Sequence, residues 1–292
     1  MTIGAVRVLV IGGTGTVGSQ VTEGLLRSGV TVRVLTRSSD KTAALPAGVE
    51  GAVGDLTTAA SLPPALQDVD AVFLITALSQ TETHEGLAAV EAAKAARIRR
   101  FVYMSIHQLD SAPHIPHFAS KIPIEYAIRA SGIPYTLVQP NNFFQVDLWL
   151  RDALLQYGVY PQPIGQKGVS RVDVRDIADV VVAALTQPGH DGKAYAVAGP
   201  DVLTGNGVAE MWSRHLGRPI HYLGDDLDVW SQQAKSMLPE WLVVDLSIMY
   251  RHFQQHGLVA TEAELAELRR VLGREPRRFE DFVAEVAPSW RG

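Results

Sequence analysis

The sequence predicts an α/β protein whose core is a doubly wound parallel sheet, followed by a small helix-rich lobe at the C-terminal end. Three observations carry this prediction. Short segments rich in β-branched residues alternate with helix-type segments through the first half of the chain, a glycine-rich turn follows the first of them, and the C-terminal third has mostly helical patterns. Such alternation is typical of a parallel sheet with crossover helices, which binds its ligands at the carboxyl ends of the strands.

The glycine-rich turn predicts a phosphate-binding loop. The first predicted strand, Val6–Ile11, leads into glycines at positions 12, 15 and 18. Glycine there lets the chain turn out of the strand, lets the backbone approach a pyrophosphate and lets the following helix pack closely. An isolated turn could share this pattern, but its position after a strand and before a helix favours a Rossmann-type dinucleotide site made by Gly12, Thr14, Gly15, Thr16, Val17 and Gly18.

The end of the second predicted strand, Thr31–Thr36, indicates which dinucleotide binds. Sites selective for NAD usually carry an acidic residue here, whereas this chain has Arg37-Ser38-Ser39. A guanidinium beside small hydroxyl residues suits a 2′-phosphate, so Arg37 predicts NADP(H) as the cofactor. Arg37 as a solvated residue after a strand remains the alternative, because Asp40 is close by.

The third and fourth predicted strands, Val49–Val53 and Asp70–Ile75, lead into two further candidate cofactor residues. Asp55 either binds the adenine amino group or caps the amides of a helix that we expect after Thr57, and the sequence leaves both open. Thr76 begins a run of small residues that would let a ribose approach.

The sheet continues with predicted strands Arg100–Met104 and Pro134–Val138. We expect an NAD(P)-binding Rossmann domain over residues 1–157 and a mixed region over residues 158–292 that completes the sheet and forms a small substrate lobe. A stretch rich in glycine and proline, residues 158–165, separates the two.

Several motifs together resemble the NmrA-like family of atypical short-chain dehydrogenases/reductases. They extend over nearly the whole chain, and they are Gly12–Gly18, Gly54-Asp55-Leu56, the segment around Lys121, Ser131–Thr136 and Val172–Ala178. The resemblance implies a bound dinucleotide and adds Leu56 to the residues that hold it. These motifs are specific for the family and not for one activity.

The resemblance implies roles for two polar residues near the fifth strand and the following helix. It assigns Lys121 to the ribose of the nicotinamide and Ser105 to a hydrogen bond with the substrate. Typical enzymes of the wider superfamily place a tyrosine, the proton donor, four residues before this lysine. Here that position is His117, so the usual Ser-Tyr-Lys set lacks its acid.

His117 has two interpretations. Its side chain ordinarily titrates near neutrality and could protonate a developing enolate or alkoxide, with Lys121 one helical turn away on the same face. Equally, it is only a helix-start residue beside the pocket. The missing tyrosine favours acceptors such as quinones or activated enones, because their delocalised charge lets water deliver the proton late.

The residues after the sixth strand are further candidates. The family places residues beside the nicotinamide at this point, which nominates Pro140, Asn142 and Phe143, together with Asn141. Asn142 could instead cap a helix expected over residues 143–156. The nearby histidines suggest a metal site only weakly, since Asp110 is the one carboxylate at a ligand-like spacing, and we expect no metal.

Composition excludes several other functions. The chain has no cysteine and so no thiolate catalysis, disulfide or cysteine-bound metal. A net charge of -5 without a basic tract gives no footprint for nucleic acid. No apolar run has the length of a membrane span, and no targeting segment is evident, so we expect a cytoplasmic protein.

The sequence therefore predicts an NADPH-dependent reductase of a quinone, enone or other conjugated small molecule, and it is compatible with a homodimer. Two alternatives stay open. One is a redox sensor that binds NADP(H) without turnover and signals through a protein partner. The other is a tailoring isomerase or dehydratase that keeps and recycles its nucleotide.

Overall fold

The computed structural model describes residues 6–290 of the 292-residue chain. Nine strands lie within them: β1 (Arg7–Ile11), β2 (Thr31–Thr36), β3 (Val49–Val53), β4 (Ala71–Leu74), β5 (Arg100–Met104), β6 (Tyr135–Pro140), β7 (Val159–Tyr160), β8 (Lys193–Val197) and β9 (His221–Tyr222). Seven form one sheet in the order β3-β2-β1-β4-β5-β6-β8, and β7 pairs with β9. The neighbouring strands from β1 to β6 are parallel. The predicted doubly wound parallel sheet is confirmed.

Eleven α-helices accompany the strands in the described part: α1 (Thr16–Arg27), α2 (Ser39–Ala43), α3 (Glu82–Ala95), α4 (Pro116–Ala119), α5 (Ile122–Ala130), α6 (Val174–Thr186), α7 (Gly205–Leu216), α8 (Leu227–Ala234), α9 (Glu240–His256), α10 (Glu262–Leu272) and α11 (Phe279–Trp290). α1 packs with α6, and α3 packs with α5. Leu9 and Ile11 share a hydrophobic cluster with α3 and α5, while the alternating Val8 and Val10 point to the other face. Both faces of β1 are therefore buried, which explains its continuous apolar sequence.

The chain divides into two compact units that interleave along the sequence. The first contains the residues up to Leu109, His117–Pro140 and Val174–Tyr195, and so holds β1 to β6 with α1 to α6 around them. The second contains Asp110–Pro116, Asn141–Asp173 and the chain from Ala196 onward, with α7 to α11. The predicted boundary near residue 157 stays a prediction.

The prediction of a single helix that carries both His117 and Lys121 is wrong, because two helices occupy this segment. His117 lies in α4, Lys121 precedes α5, and Ser120 lies in the turn between them. Pro123 stands in the first turn of α5. Proline lacks the N–H that a continuous helix would need at this position and is favoured at a helix start. The break brings Ser120 and Lys121 side by side in a turn.

Two other expected helices are also replaced. After β3 the chain forms two short 3₁₀ segments, Ala59–Ser61 and Pro63–Leu66, because successive prolines there cannot supply helical N–H donors. The helix expected over residues 143–156 is a 3₁₀ helix, Phe144–Leu150, followed by a π-helical turn, Ala153–Tyr157. The tighter first part turns Asp147 into the interior of the second unit.

A buried ion pair organises the second unit. Arg171 and Asp147 are both fully buried, and their guanidinium and carboxylate groups lie 2.7 Å apart. The other oxygen of Asp147 accepts a hydrogen bond from Trp212 Nε1 at 2.8 Å. Arg171 also donates to the carbonyl of Phe143 at 2.6 Å, and its guanidinium lies over the Phe279 ring at 5.1 Å. This network offsets the cost of removing two charges from water.

Breaking this pair should destabilise the protein strongly. We expect Arg171→Met to lower the free energy of unfolding by about 3–5 kcal/mol, because it leaves the Asp147 carboxylate buried without a counter-charge. Urea denaturation measures the loss. The double variant Arg171→Met with Asp147→Asn should recover part of the lost free energy, since the side-chain oxygen of an asparagine still accepts from Trp212 Nε1. Arg214→Met, which breaks the exposed pair with Glu280, is the matched control and should cost less than about 1 kcal/mol. Equal losses for the two arginine variants would contradict the assignment.

Candidate functional site

In the glycine turn, Gly12–Gly18, backbone atoms pack so closely that several positions have no room for a side chain. Gly12 has a φ of 85°, a value that L-residues with side chains rarely adopt. An ideal Cβ on Gly18 would overlap the carbonyl oxygen of Gly12, and one on Gly13 would lie 2.9 Å from Val34. The turn therefore tolerates no side chain at these positions.

The start of α1 leaves its amides open to a ligand. Gly15 is the N-cap and offers no side-chain cap, and the first turn of α1 has no acidic residue. Thr14, Gly15 and Thr16 are exposed, while Val17 and Gly18 are buried against the turn. Uncapped amides and the helix dipole together favour an anion. The predicted loop residues thus lie together at the start of α1, and their contact with a pyrophosphate stays a prediction.

Arg37 and Asp55 lie at the carboxyl ends of β2 and β3. The carboxylate of Asp55 accepts from the backbone N–H of Thr57 at 2.9 Å and from its hydroxyl at 2.8 Å. These hydrogen bonds, with a smaller effect of the Arg37 charge, lower the pKa of Asp55. Asp55 therefore caps the Thr57 amide, but it caps no helix, because Thr58 is the N-cap of the 3₁₀ segment that follows. Contact of Asp55 with an adenine stays a prediction. Arg37 is exposed, and Leu56 packs its side chain in the core.

A buried polar cluster lies beside the glycine turn. A Cβ on Gly12 would lie 3.0 Å from the carbonyl oxygen of Ile75, which directly precedes Thr76. Thr76 donates to the carboxylate of Glu82 at 2.6 Å, and Lys121 forms an ion pair with the same oxygen. Thr76 and Lys121 were both predicted as cofactor residues, and Glu82 links them. Glu82 itself was not predicted.

Glu82 gave no signal in the sequence because an acidic residue in the first turn of a helix is common. In the structure only 1% of Glu82 is exposed. Its second carboxylate oxygen accepts from the hydroxyl of Ser120 at 2.7 Å. Burial, and then the negative charge of Glu82, raise the pKa of the nearby Tyr103 hydroxyl.

Ser105 and His117 lie in the same compact unit as Lys121. Ser105 follows β5, its N–H donates to Val138 at 2.8 Å, and its buried hydroxyl has no hydrogen-bond partner within residues 6–290. Such a hydroxyl is a natural partner for a ligand. His117 is 9% exposed, and its ring meets that of Phe118 edge-on at 4.9 Å.

The residues after β6 have mixed placements. Pro140 ends β6 in the first unit, and Asn142 and Phe143 belong to the second. Phe143 is the N-cap of the 3₁₀ helix, so a helix-capping role for Asn142 is wrong. The side-chain oxygen of Asn142 is buried, without a hydrogen-bond partner in the described residues. Asn141 is structural, since its amide donates to Leu258 at 2.8 Å.

The described residues hold neither a candidate metal centre nor a candidate membrane span. Between residues 6 and 290, no group of three or more histidine, aspartate or glutamate side chains could hold a metal ion. No helix in the same range has the length and apolarity needed to cross a membrane.

Comparison with known proteins gives consistent matches over nearly the whole chain. A model of the NmrA-like family matches residues 5–283. NAD(P)H azoreductase of Xenophilus azovorans is 36% identical over 287 residues, 97% of this chain and 99% of that protein. The (4-alkanoyl-5-oxo-2,5-dihydrofuran-3-yl)methyl phosphate reductase of Streptomyces griseus is 35% identical over 287 residues, with the same two coverages, 97% and 99%.

Solved structures share the fold at lower sequence identity. The NADPH-dependent quinone oxidoreductase of Escherichia coli, in a crystal structure with NADPH, superposes with a TM-score of 0.86 at 24% identity. The match covers 96% of this chain and 99% of that chain. At this identity the likeness supports the fold alone.

The glycine turn can be tested without any ligand. We expect Gly18→Ala to lower the free energy of unfolding by about 1–3 kcal/mol, because its Cβ would overlap the Gly12 carbonyl. Gly15→Ala is the matched control. Its Cβ would meet nothing closer than 3.5 Å, so a change below about 1 kcal/mol is expected. Thermal unfolding compares the two, and a Gly15→Ala loss as large as that of Gly18→Ala would refute the packing argument.

Proposed function

The chain belongs to the NmrA-like family, and from that premise we propose that it is an NADPH-dependent reductase that transfers hydride to a quinone, an enone or another conjugated small molecule. The observation that carries the proposal is that the glycine turn after β1 adjoins the chain leading to Thr76 after β4, and that Thr76 shares the carboxylate of Glu82 with Lys121. Ligands of doubly wound sheets bind at the carboxyl ends of the strands.

The residues present fit NADPH. The close packing of Gly12 and Gly18 sets the start of α1 against the turn, and the uncapped amides of α1 favour a pyrophosphate. Arg37 is exposed at the end of β2, where a guanidinium can bind the 2′-phosphate with two hydrogen bonds. Lys121 would hold the nicotinamide ribose. When bound, NADPH supplies the hydride.

The chemistry of the relatives supports a conjugated acceptor. The names of the azoreductase of Xenophilus azovorans and the phosphate reductase of Streptomyces griseus refer to azo compounds and to a dihydrofuranone that carries an alkanoyl group. In each of these, electrons from a hydride can delocalise onto nitrogen or oxygen. The quinone oxidoreductase of Escherichia coli, 27% identical over 221 residues, acts on a third acceptor of this kind. A delocalised anion needs no strong acid, which suits a site without the tyrosine.

Two residues of the chain serve the acceptor in this proposal. The unpartnered hydroxyl of Ser105 donates a hydrogen bond to it, and this bond strengthens as negative charge develops. His117 or water then completes the protonation. Both residues lie in the compact unit that holds Lys121.

The proposed function is tested by following the loss of reduced-nicotinamide absorbance with NADPH and a panel of acceptors. We expect turnover of quinones, conjugated enones or azo dyes, and none of saturated ketones, because those give a localised alkoxide. Lys121→Met keeps the volume of the side chain and should reduce turnover. NADPH binding without turnover of any acceptor would overturn the reductase and favour a redox sensor.

The cofactor preference rests on Arg37. We expect Arg37→Ala to weaken NADPH binding about 10- to 100-fold, because a charged hydrogen bond to the 2′-phosphate is lost, and to leave NADH binding nearly unchanged. Isothermal titration with each nucleotide measures both affinities. Arg27→Ala, at the far end of α1, is the control and should change neither. Equal loss of NADPH and NADH affinity in Arg37→Ala would contradict the assignment.

A further inference from the structure

Glu82 is a buried carboxylate whose hydrogen bonds converge on the lysine of the site. One oxygen accepts from the Thr76 hydroxyl at 2.6 Å and from the Lys121 ammonium, and the other accepts from the Ser120 hydroxyl at 2.7 Å. All four residues lie in one compact unit. Both oxygens of the carboxylate are therefore engaged, and each has a defined direction.

The cluster ties three separate segments together. Thr76 follows β4, Glu82 begins α3, and Lys121 lies in the turn between α4 and α5. A second contact fixes the same turn, because the Thr83 hydroxyl donates to the carbonyl of Ser120 at 2.8 Å. Two successive residues of α3 thus hold the turn that presents Lys121.

The pair is buried enough for its geometry to matter. The exposed fractions are 1% for Glu82 and 8% for Lys121. A buried charge without a partner is strongly unfavourable, so each group restricts where the other can lie. A lysine side chain has many rotamers in solution, and the carboxylate selects among them.

The ammonium keeps capacity for a ligand. A lysine ammonium carries three N–H donors, and within residues 6–290 Glu82 accepts one of them. The remaining donors can bind the hydroxyls of a ribose. The carboxylate of Glu82 also neutralises the positive charge of Lys121. The lysine therefore acts mainly as a hydrogen-bond donor with a fixed direction.

We propose that Glu82 is a positioning residue that holds Lys121 in the orientation needed to bind the nicotinamide ribose of NADPH. The proposal rests on the proposed function, because it concerns the same cofactor. Glu82 itself does not touch the dinucleotide. Its effect must therefore appear only where Lys121 acts, at the nicotinamide half of the ligand.

The test compares two ligands with Glu82→Gln. NADPH contains the nicotinamide ribose, and adenosine 2′,5′-bisphosphate lacks it. We expect the dissociation constant of NADPH to rise about tenfold, as loss of a charged hydrogen bond implies, and that of adenosine 2′,5′-bisphosphate to stay within about twofold. Glu85→Gln is the matched control, because Glu85 lies one turn away and accepts from Ser79 and Thr81. It should change neither constant.

A second pair of variants tests whether Glu82 acts through Lys121. Adding Glu82→Gln to Lys121→Met should cause no further loss of NADPH affinity, since the residue it positions is gone. This double variant also removes both buried charges, so it remains informative if Glu82→Gln alone does not fold.

Three results would overturn the proposal: equal weakening of both ligands, no weakening of NADPH, or a further loss of NADPH affinity when Glu82→Gln is added to Lys121→Met. If the wild-type protein fails to bind NADPH at all, the proposed function itself falls. Wild-type binding with any of the three results removes only the role of Glu82.

Discussion

The first unit depends on backbone packing at positions where no side chain fits. Gly18 sets the start of α1 against the carbonyl of Gly12, Gly13 lies against β2, and Gly24 lets α1 approach α6, where a Cβ would lie 2.8 Å from Val182. These contacts fix the first helix relative to β1, in the middle of the sheet. The amides at its start then face the edge where β1 and β4 end. One steric constraint thus determines both the packing of the unit and the place of its candidate ligand site.

Much of the fold could be predicted from local sequence. β2, β3 and β5 have the predicted bounds, because each holds β-branched or aromatic residues and lies between turn segments. The broken helix before Lys121 also had a local signal, since Pro123 favours a helix start. One continuous helix through His117 and Lys121 was expected, but the proline fixes the start of a separate helix, α5.

Only those parts of the candidate site that are formed by residues close together in the sequence were predictable. The glycine turn and the cap formed by Asp55 are local, and the residue pattern is enough to indicate them. Glu82 is 39 positions from its partner Lys121, and no periodicity connects them. The buried ion pair of Arg171 and Asp147 was equally unpredictable, because nothing in the sequence distinguishes these two residues from exposed charged residues. Such contacts follow from the tertiary fold alone.

The interleaving of the two units has a consequence for protein synthesis. The first unit needs α6, which begins at Val174, and the Arg171 network of the second needs Phe279, close to the end of the chain. A nascent chain released in order from the ribosome therefore cannot complete either unit early, although domains generally fold as units during synthesis. When β1 to β6 have been synthesised, α6 has not, because the segment Asn141–Asp173 of the second unit precedes it in the chain. Long-range contacts of this kind slow folding and leave apolar surface exposed in the interim, so we expect this chain to fold more slowly than one whose two domains are consecutive.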